Sequence, residues 1–75
     1  MTVAYILCVT DVGKEKDVQK KLKGFEEVKE AYVVYGEYDL VVKLELDDLK
    51  KLDAFITDRI RGIDDIEMTS TMIAL

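Results

Sequence analysis

Two short polar segments of the chain contain residues that could hold a small molecule. The first is Gly36-Glu37-Tyr38-Asp39, which separates two apolar runs and predicts a hairpin with a carboxylate at its mouth. The second is Thr69-Ser70-Thr71, within the apolar segment that ends the chain. A carboxylate binds a cation through charge-assisted hydrogen bonds, whereas hydroxyl groups can donate to an anion. Together the two segments indicate a small-molecule sensor rather than an enzyme.

Each of these residues also has a purely structural interpretation. Gly36 could serve only the turn, since glycine tolerates the backbone conformations that turns require. Asp39 could cap the hairpin or pair with a lysine, and Tyr38 could be a packing residue. The threonines are good strand formers and need no ligand to explain them. The functional interpretation therefore depends on the two segments occurring together.

The length and charge of the chain limit what it can do. Seventy-five residues make one domain, 1–75, with a net charge of −5. The sequence contains no basic stripe, so we do not expect it to bind DNA by itself. Its main lysine cluster, between residues 14 and 23, is interleaved with acidic residues and is typical of a solvated helix face.

The sequence has few of the residues that metal sites and thiol chemistry require. The chain has no His and a single cysteine, Cys8, which lies in an apolar strand and is best explained as a small buried hydrophobe. We therefore expect no metal site and no cofactor. One cysteine fits a reducing compartment, and neither a signal peptide nor an apolar run of about 20 residues is present, so we expect a cytoplasmic protein with no membrane contact.

The order of predicted elements is βαββαβ. Hydrophobic periodicity predicts strands at 3–9, 28–35, 38–46 and 66–75, and helices at 14–23 and 48–61. Gly36-Glu37 forms a two-residue hairpin turn in this scheme, and Asp47 caps the second helix. Right-handed crossovers then place both helices on one face of an antiparallel sheet with strand order 4-1-3-2, the ferredoxin-like α+β arrangement.

One face of this predicted sheet has no helix to cover it. The first strand is apolar at every position from 3 to 9, so its uncovered side would leave an exposed apolar patch on a monomer. We therefore expect a homodimer formed through the open sheet face. The starts of strands three and four lie at the same end of the sheet, which puts Asp39 and Thr69 on the order of 10 Å apart. A second subunit could bring the two segments closer, and a site shared between subunits is the natural geometry.

The chain resembles the effector-binding domain of the Lrp/AsnC transcription regulators, also called the RAM domain. The resemblance covers essentially the whole chain. It rests on the hairpin at 36–40, the helix at 48–56, the Gly62-Ile63 break and the closing segment at 69–73. The pairing of Gly-x-Tyr-Asp with Thr-x-Thr about 30 residues later is more specific than either piece alone.

The resemblance implies a regulatory module that binds an amino acid. It implies dimers joined through their sheets, rings of dimers such as octamers, and a ligand held between neighbouring dimers. By the match of motifs, the ligand-binding residues would be Gly36, Glu37, Tyr38, Asp39, Thr69, Ser70 and Thr71. The family's full members carry a helix-turn-helix that is missing here, which suggests a stand-alone domain acting through full-length Lrp/AsnC regulators.

Two alternatives remain open from the sequence. The chain could be a ring-forming structural protein that binds no ligand. It could also be a dimeric ferredoxin-like enzyme, although the absence of His and Trp disfavours catalysis.

Overall fold

The computed structural model describes all 75 residues, Met1–Leu75. The elements follow the order βαββαβ, as predicted. They are β1 (Thr2–Thr10), α1 (Glu15–Lys23), β2 (Val28–Val33), β3 (Leu40–Leu46), α2 (Leu49–Phe55) and β4 (Ile66–Ile73). A π-helical turn, Ile56–Ile60, continues α2 directly, and its wider winding shows in the hydrogen bond from Arg61 N to the Ile56 carbonyl at 3.0 Å.

The four strands form one antiparallel sheet in the order β2-β3-β1-β4. This is the predicted order 4-1-3-2 read from the other edge, so the ferredoxin-like fold is confirmed. Cys8 of β1 pairs with Leu40 of β3 on one side and with Thr69 of β4 on the other. The starts of β3 and β4 therefore lie at the same end of the sheet, as the sequence predicts.

The core lies between the sheet and the helices. Alternate residues of a strand point to opposite faces, so β1 and β3 each bury one set of side chains completely. The fully buried set on these two strands comprises Ala4, Ile6, Cys8, Leu40, Val42 and Leu44. Helix α1 packs Val18 and Leu22 against them, and α2 adds Leu52 and Phe55. Helix α1 is also hydrogen-bonded to β2 at the edge of the sheet, where Gln19 Nε2 donates to the Ala31 carbonyl at 2.7 Å.

The predicted hairpin turn and helix cap were both misplaced. β2 ends at Val33 and β3 begins at Leu40, so the connection spans 34–39 rather than two residues. A hydrogen bond from Val34 N to the Asp39 carbonyl, at 2.9 Å, closes this wider loop. The cap of α2 is Asp48, not Asp47, because Asp48 Oδ1 accepts from Lys51 N at 2.8 Å. Asp47 pairs instead with Lys51 Nζ at 2.9 Å.

The face of the sheet away from the helices is open and largely apolar. Val3, Tyr5, Leu7 and Val9 of β1 lie there and are only half-buried. Next to them on β4, Met68 and Met72 are 58% and 52% exposed. A polar group at the β2 edge breaks this surface: Glu30 accepts from the Tyr32 hydroxyl at 2.7 Å and lies 3.8 Å from Lys43 Nζ. Lys43 therefore has its partner within the same protomer.

None of the helices has the length and apolar composition needed to cross a bilayer.

The packing of α1 gives a first prediction. Leu22→Ala should lower the free energy of unfolding by about 2–5 kcal/mol, because Leu22 is fully buried and its loss leaves a cavity. Urea denaturation measures this change. Val12→Ala is the matched control, since Val12 is almost fully exposed and should change stability by less than about 0.5 kcal/mol.

Should Leu22→Ala fail to fold, Ile6→Val tests the same core with an expected loss of about 0.5–1.5 kcal/mol. Equal effects of Leu22→Ala and Val12→Ala would contradict the packing of α1 against the sheet.

Candidate functional site

Asp39 occupies a backbone junction between three strands. Its N–H donates to the Cys8 carbonyl of β1 at 2.8 Å, and its carbonyl accepts from Val34 N, just beyond β2, at 2.9 Å. Leu40, the first residue of β3, follows directly. Both main-chain groups of Asp39 are thus satisfied within the protomer, and the residue has a fixed position.

The side chain of Asp39 is partly used by the fold. Oδ2 accepts from Thr10 N at 2.9 Å and from the Thr10 hydroxyl at 3.4 Å. Thr10 is only 5% exposed, so Asp39 satisfies a buried N–H at the end of β1. No lysine pairs with Asp39. No protein group donates to its other oxygen, Oδ1, so one side of the carboxylate remains available to a ligand.

A cleft of about 430 Å³ lies beside the hairpin and includes Asp39. Val33, Val34 and Tyr35 form its apolar wall, and Glu15, the first residue of α1, supplies a second carboxylate. Glu15 Oε1 accepts from Gly13 N at 3.2 Å, and no protein group donates to Oε2. The side chain of Tyr35 is fully exposed, so the cleft opens to solvent.

The remaining predicted hairpin residues do not line this cleft. Gly36 and Glu37 are exposed at the hairpin tip, and Tyr38 is half-buried. Gly36 has φ of 133°, in the region that favours glycine, while no atom lies within 4 Å of where a Cβ would stand. Within the protomer, backbone conformation therefore explains this glycine and crowding does not.

The hydroxyls of β4 are spread over both faces of the sheet. Thr69 and Thr71 pair with Cys8 and Ile6 and share their helix-side face, because directly paired residues of antiparallel strands point the same way. Ser70 pairs with Leu7 and points to the open face. The segment lies two strand spacings from β3, with β1 between them, which is about 10 Å. A single protomer does not bring it together with the Asp39 cleft.

Four residues of the cleft were not among those predicted from the sequence: Glu15, Val33, Val34 and Tyr35. Val33, Val34 and Tyr35 were assigned to a longer strand, and the true length of the loop would have placed Val34 and Tyr35 at the site. Glu15 is separated from the hairpin by about twenty positions of sequence. It reaches the cleft only because α1 packs against β2.

A second cleft, of about 470 Å³, lies at the other end of β2 and β3, against α2. Eight of its eleven lining residues are charged, of both signs, and Asp47 and Lys51 among them pair with each other. Arg59 also lines it and places its guanidinium 5.6 Å from the centre of the Phe25 ring. This arrangement is typical of a solvated charged surface, and none of the ligand-binding residues predicted from the sequence lies there. We therefore assign the candidate site to the Asp39 cleft.

The geometry supports neither a metal-binding cluster nor a reactive thiol. No group of three or more His, Cys, Asp or Glu side chains is arranged to hold a metal ion. Cys8 is fully buried, and burial raises the pKa of its thiol to about 11. A thiol with so high a pKa is almost entirely protonated at neutral pH and is a poor nucleophile.

The chain matches known proteins along nearly its whole length. Residues 3–75 match the family model described as "Lrp/AsnC ligand binding domain". The HTH-type transcriptional regulator FL11 of Pyrococcus furiosus is 37% identical over 73 residues, which are 97% of this chain and 48% of FL11. The chain thus spans about half the length of the curated relatives it matches.

Solved structures agree with the fold. Protein PHS023 from Pyrococcus horikoshii is 63% identical and superposes with a TM-score of 0.97 over 100% of this chain and 90% of that one. Escherichia coli AsnC is 27% identical and superposes with a TM-score of 0.93 over 99% of this chain and 50% of AsnC. The βαββαβ arrangement is therefore the one that these proteins share.

The bond from Asp39 to Thr10 gives a second prediction. Asp39→Ala should lower the free energy of unfolding by about 1–3 kcal/mol, because it leaves the buried N–H of Thr10 without an acceptor. Asp39→Asn should cost less, since its amide oxygen can still accept that bond. Urea denaturation compares the two variants, and equal losses would show that the contact with Thr10 is not what Asp39 contributes to the fold.

Proposed function

Because this chain belongs to the Lrp/AsnC ligand binding domain family, we propose that it is a regulatory module that binds an amino acid at the Asp39 cleft. The observation that carries the proposal is the carboxylate of Asp39, which is fixed by Thr10 through one oxygen and offers the other beside a cavity. A carboxylate held in this way accepts a charge-assisted hydrogen bond from an ammonium group without first having to be ordered.

The rest of the proposed site comes from the hairpin and from β4. Gly36, Glu37 and Tyr38 form the loop next to Asp39, and backbone N–H groups near Gly36 could donate to the ligand carboxylate. Thr69, Ser70 and Thr71 supply hydroxyl donors about 10 Å away within one protomer. In our proposal, a neighbouring subunit brings a copy of that segment to the cleft.

The ligand is tested by calorimetry after a thermal-shift screen of the standard amino acids. Asp39→Asn should weaken binding of the stabilising amino acid by about 1.5–3 kcal/mol, the usual contribution of a hydrogen bond to a charged group. The variant should stay folded, because asparagine keeps an acceptor for Thr10 N.

Asp53→Asn is the matched control, since Asp53 is exposed on α2, away from the cleft. Equal affinities of wild type and Asp39→Asn would mean that Asp39 serves only the fold. If no amino acid binds the wild type, the proposed ligand binding is wrong and the alternative of a ring-forming protein without a ligand is favoured.

We also propose that the protein forms homodimers through the open sheet face, and that these dimers assemble into rings such as octamers. The support is the half-buried apolar row of β1 together with exposed Met68 and Met72 on β4. A largely apolar surface of this kind is uncommon on a soluble monomer, and burying it against a second copy is favourable.

A charge on the open face tests this assembly. Leu7→Glu should shift the protein towards monomers of 8.6 kDa in sedimentation or light scattering, because it would bury an unpaired carboxylate in the dimer. Leu7 is half-buried on the open face, so the monomer can leave the new carboxylate in water. Val12→Glu is the control, and a wild type that sediments as a monomer at micromolar concentration would refute the proposal.

Regulation of transcription would pass through partners that carry a DNA-binding segment. The curated relatives are about twice as long and include HTH-type transcriptional regulators, whereas residues 3–75 match only the ligand binding domain. We propose that the chain does not bind DNA directly, since its net charge is −5, and that it acts with full-length Lrp/AsnC regulators. The relatives are regulators and not enzymes, which disfavours the enzymatic alternative.

A further inference from the structure

The side chains that line the Asp39 cleft carry negative charge and no positive charge. Of the five lining residues, Glu15 and Asp39 are acidic, and Val33, Val34 and Tyr35 are apolar or aromatic. Neither acidic side chain forms an ion pair with a lysine or arginine. The two carboxylates therefore lack a cationic partner from the protein.

Each of the two carboxylates has one oxygen that accepts a backbone N–H and one oxygen without a donor in the protein. Asp39 uses Oδ2 to hold Thr10, and Glu15 uses Oε1 to hold Gly13 N. Asp39 Oδ1 and Glu15 Oε2 have no donor in the protein. An ammonium group has three N–H donors, so it could satisfy one or both of these oxygens.

This charge pattern determines how an amino acid could enter. Its ammonium is attracted to both carboxylates, while its own carboxylate is repelled and must point out of the cleft. The side chain then lies against Val33, Val34 and Tyr35. A second carboxylate on the ligand would be the third acidic group in the same small space.

We propose that the cleft accepts amino acids with apolar or cationic side chains and excludes the dicarboxylic ones, with Glu15 as the residue that sets this selectivity. The inference rests on the proposed function, because it concerns the choice among ligands of the same site. It adds a residue from α1 that the hairpin motif does not include.

The test compares L-glutamate, L-glutamine and L-norleucine, which are similar in length but differ in side-chain charge. Calorimetry on the wild type should show glutamate binding at least roughly tenfold more weakly than the better of the other two, a ratio that corresponds to about 1.4 kcal/mol. In Glu15→Gln, this ratio should fall to roughly threefold or less. The variant keeps an acceptor for Gly13 N, so the start of α1 should be preserved.

Glu26→Gln is the matched control. It removes the same charge from an exposed position at the other end of the sheet, outside the Asp39 cleft, and should leave the ratio unchanged. An equal loss of discrimination in both variants would mean that overall charge, and not Glu15, controls selectivity, and would overturn the proposal.

Two further outcomes distinguish failure of the selectivity proposal from failure of the proposed amino-acid binding. If the wild type binds glutamate as tightly as glutamine and norleucine, the selectivity proposal fails while amino-acid binding stands. If neither these three nor any standard amino acid binds, the proposed function itself fails, and the selectivity proposal fails with it.

Discussion

The hydrogen bond from Thr10 N to the Asp39 carboxylate fixes the end of the sheet on which the candidate site depends. β1 is the central strand that pairs with both β3 and β4, and Thr10 is its last residue. Because the acceptor belongs to the hairpin loop, the bond ties that loop to the middle of the sheet. Asp39 also lines the cleft, and its second oxygen has no donor within the protomer. One side chain thus serves both the fold and the proposed site.

This double use changes how the motif should be understood. The structural and functional interpretations of Asp39 looked like alternatives in the sequence, where each assigned the carboxylate to one role. In the structure, Oδ2 satisfies a buried backbone group and Oδ1 is free, so the two roles are compatible. An aspartate whose position is fixed by the fold is also a better ligand group, because little conformational entropy is lost when it binds.

The sequence predicted the architecture well because periodicity is a local property. The alternation in β3 and the apolar positions Val18 and Leu22 of α1 depend only on which face is buried, and burial follows from the pattern itself. The hairpin was harder to predict. A glycine at position 36 suggests a tight turn, whereas the six-residue loop is held by contacts of Asp39 with residues 8 and 10, about 30 positions earlier. Local turn rules cannot include such a contact. Glu15 was missed for the same reason, since only the packing of α1 on β2 brings it to the cleft.

The charges of the cleft and the uncovered sheet face lead to the same physical conclusion about assembly. The cleft offers acceptors for a cation and an apolar wall, but its lining includes no lysine, arginine, serine or threonine to receive the carboxylate of an amino acid.

The hydroxyl-rich segment of β4 has hydroxyl donors for such a carboxylate, but it lies across β1, about two strand spacings away. A rigid sheet cannot close that distance within one protomer, because Cys8 pairs with both neighbours in fixed register. If the site is to hold a whole amino acid, the donors to its carboxylate must come from the Tyr35 hydroxyl, from backbone N–H groups of the hairpin loop or from another copy of the chain. The open apolar face provides a driving force for the copies to meet. Ligand binding and self-association would then depend on each other, so an amino acid that completes the shared site would also stabilise the assembly.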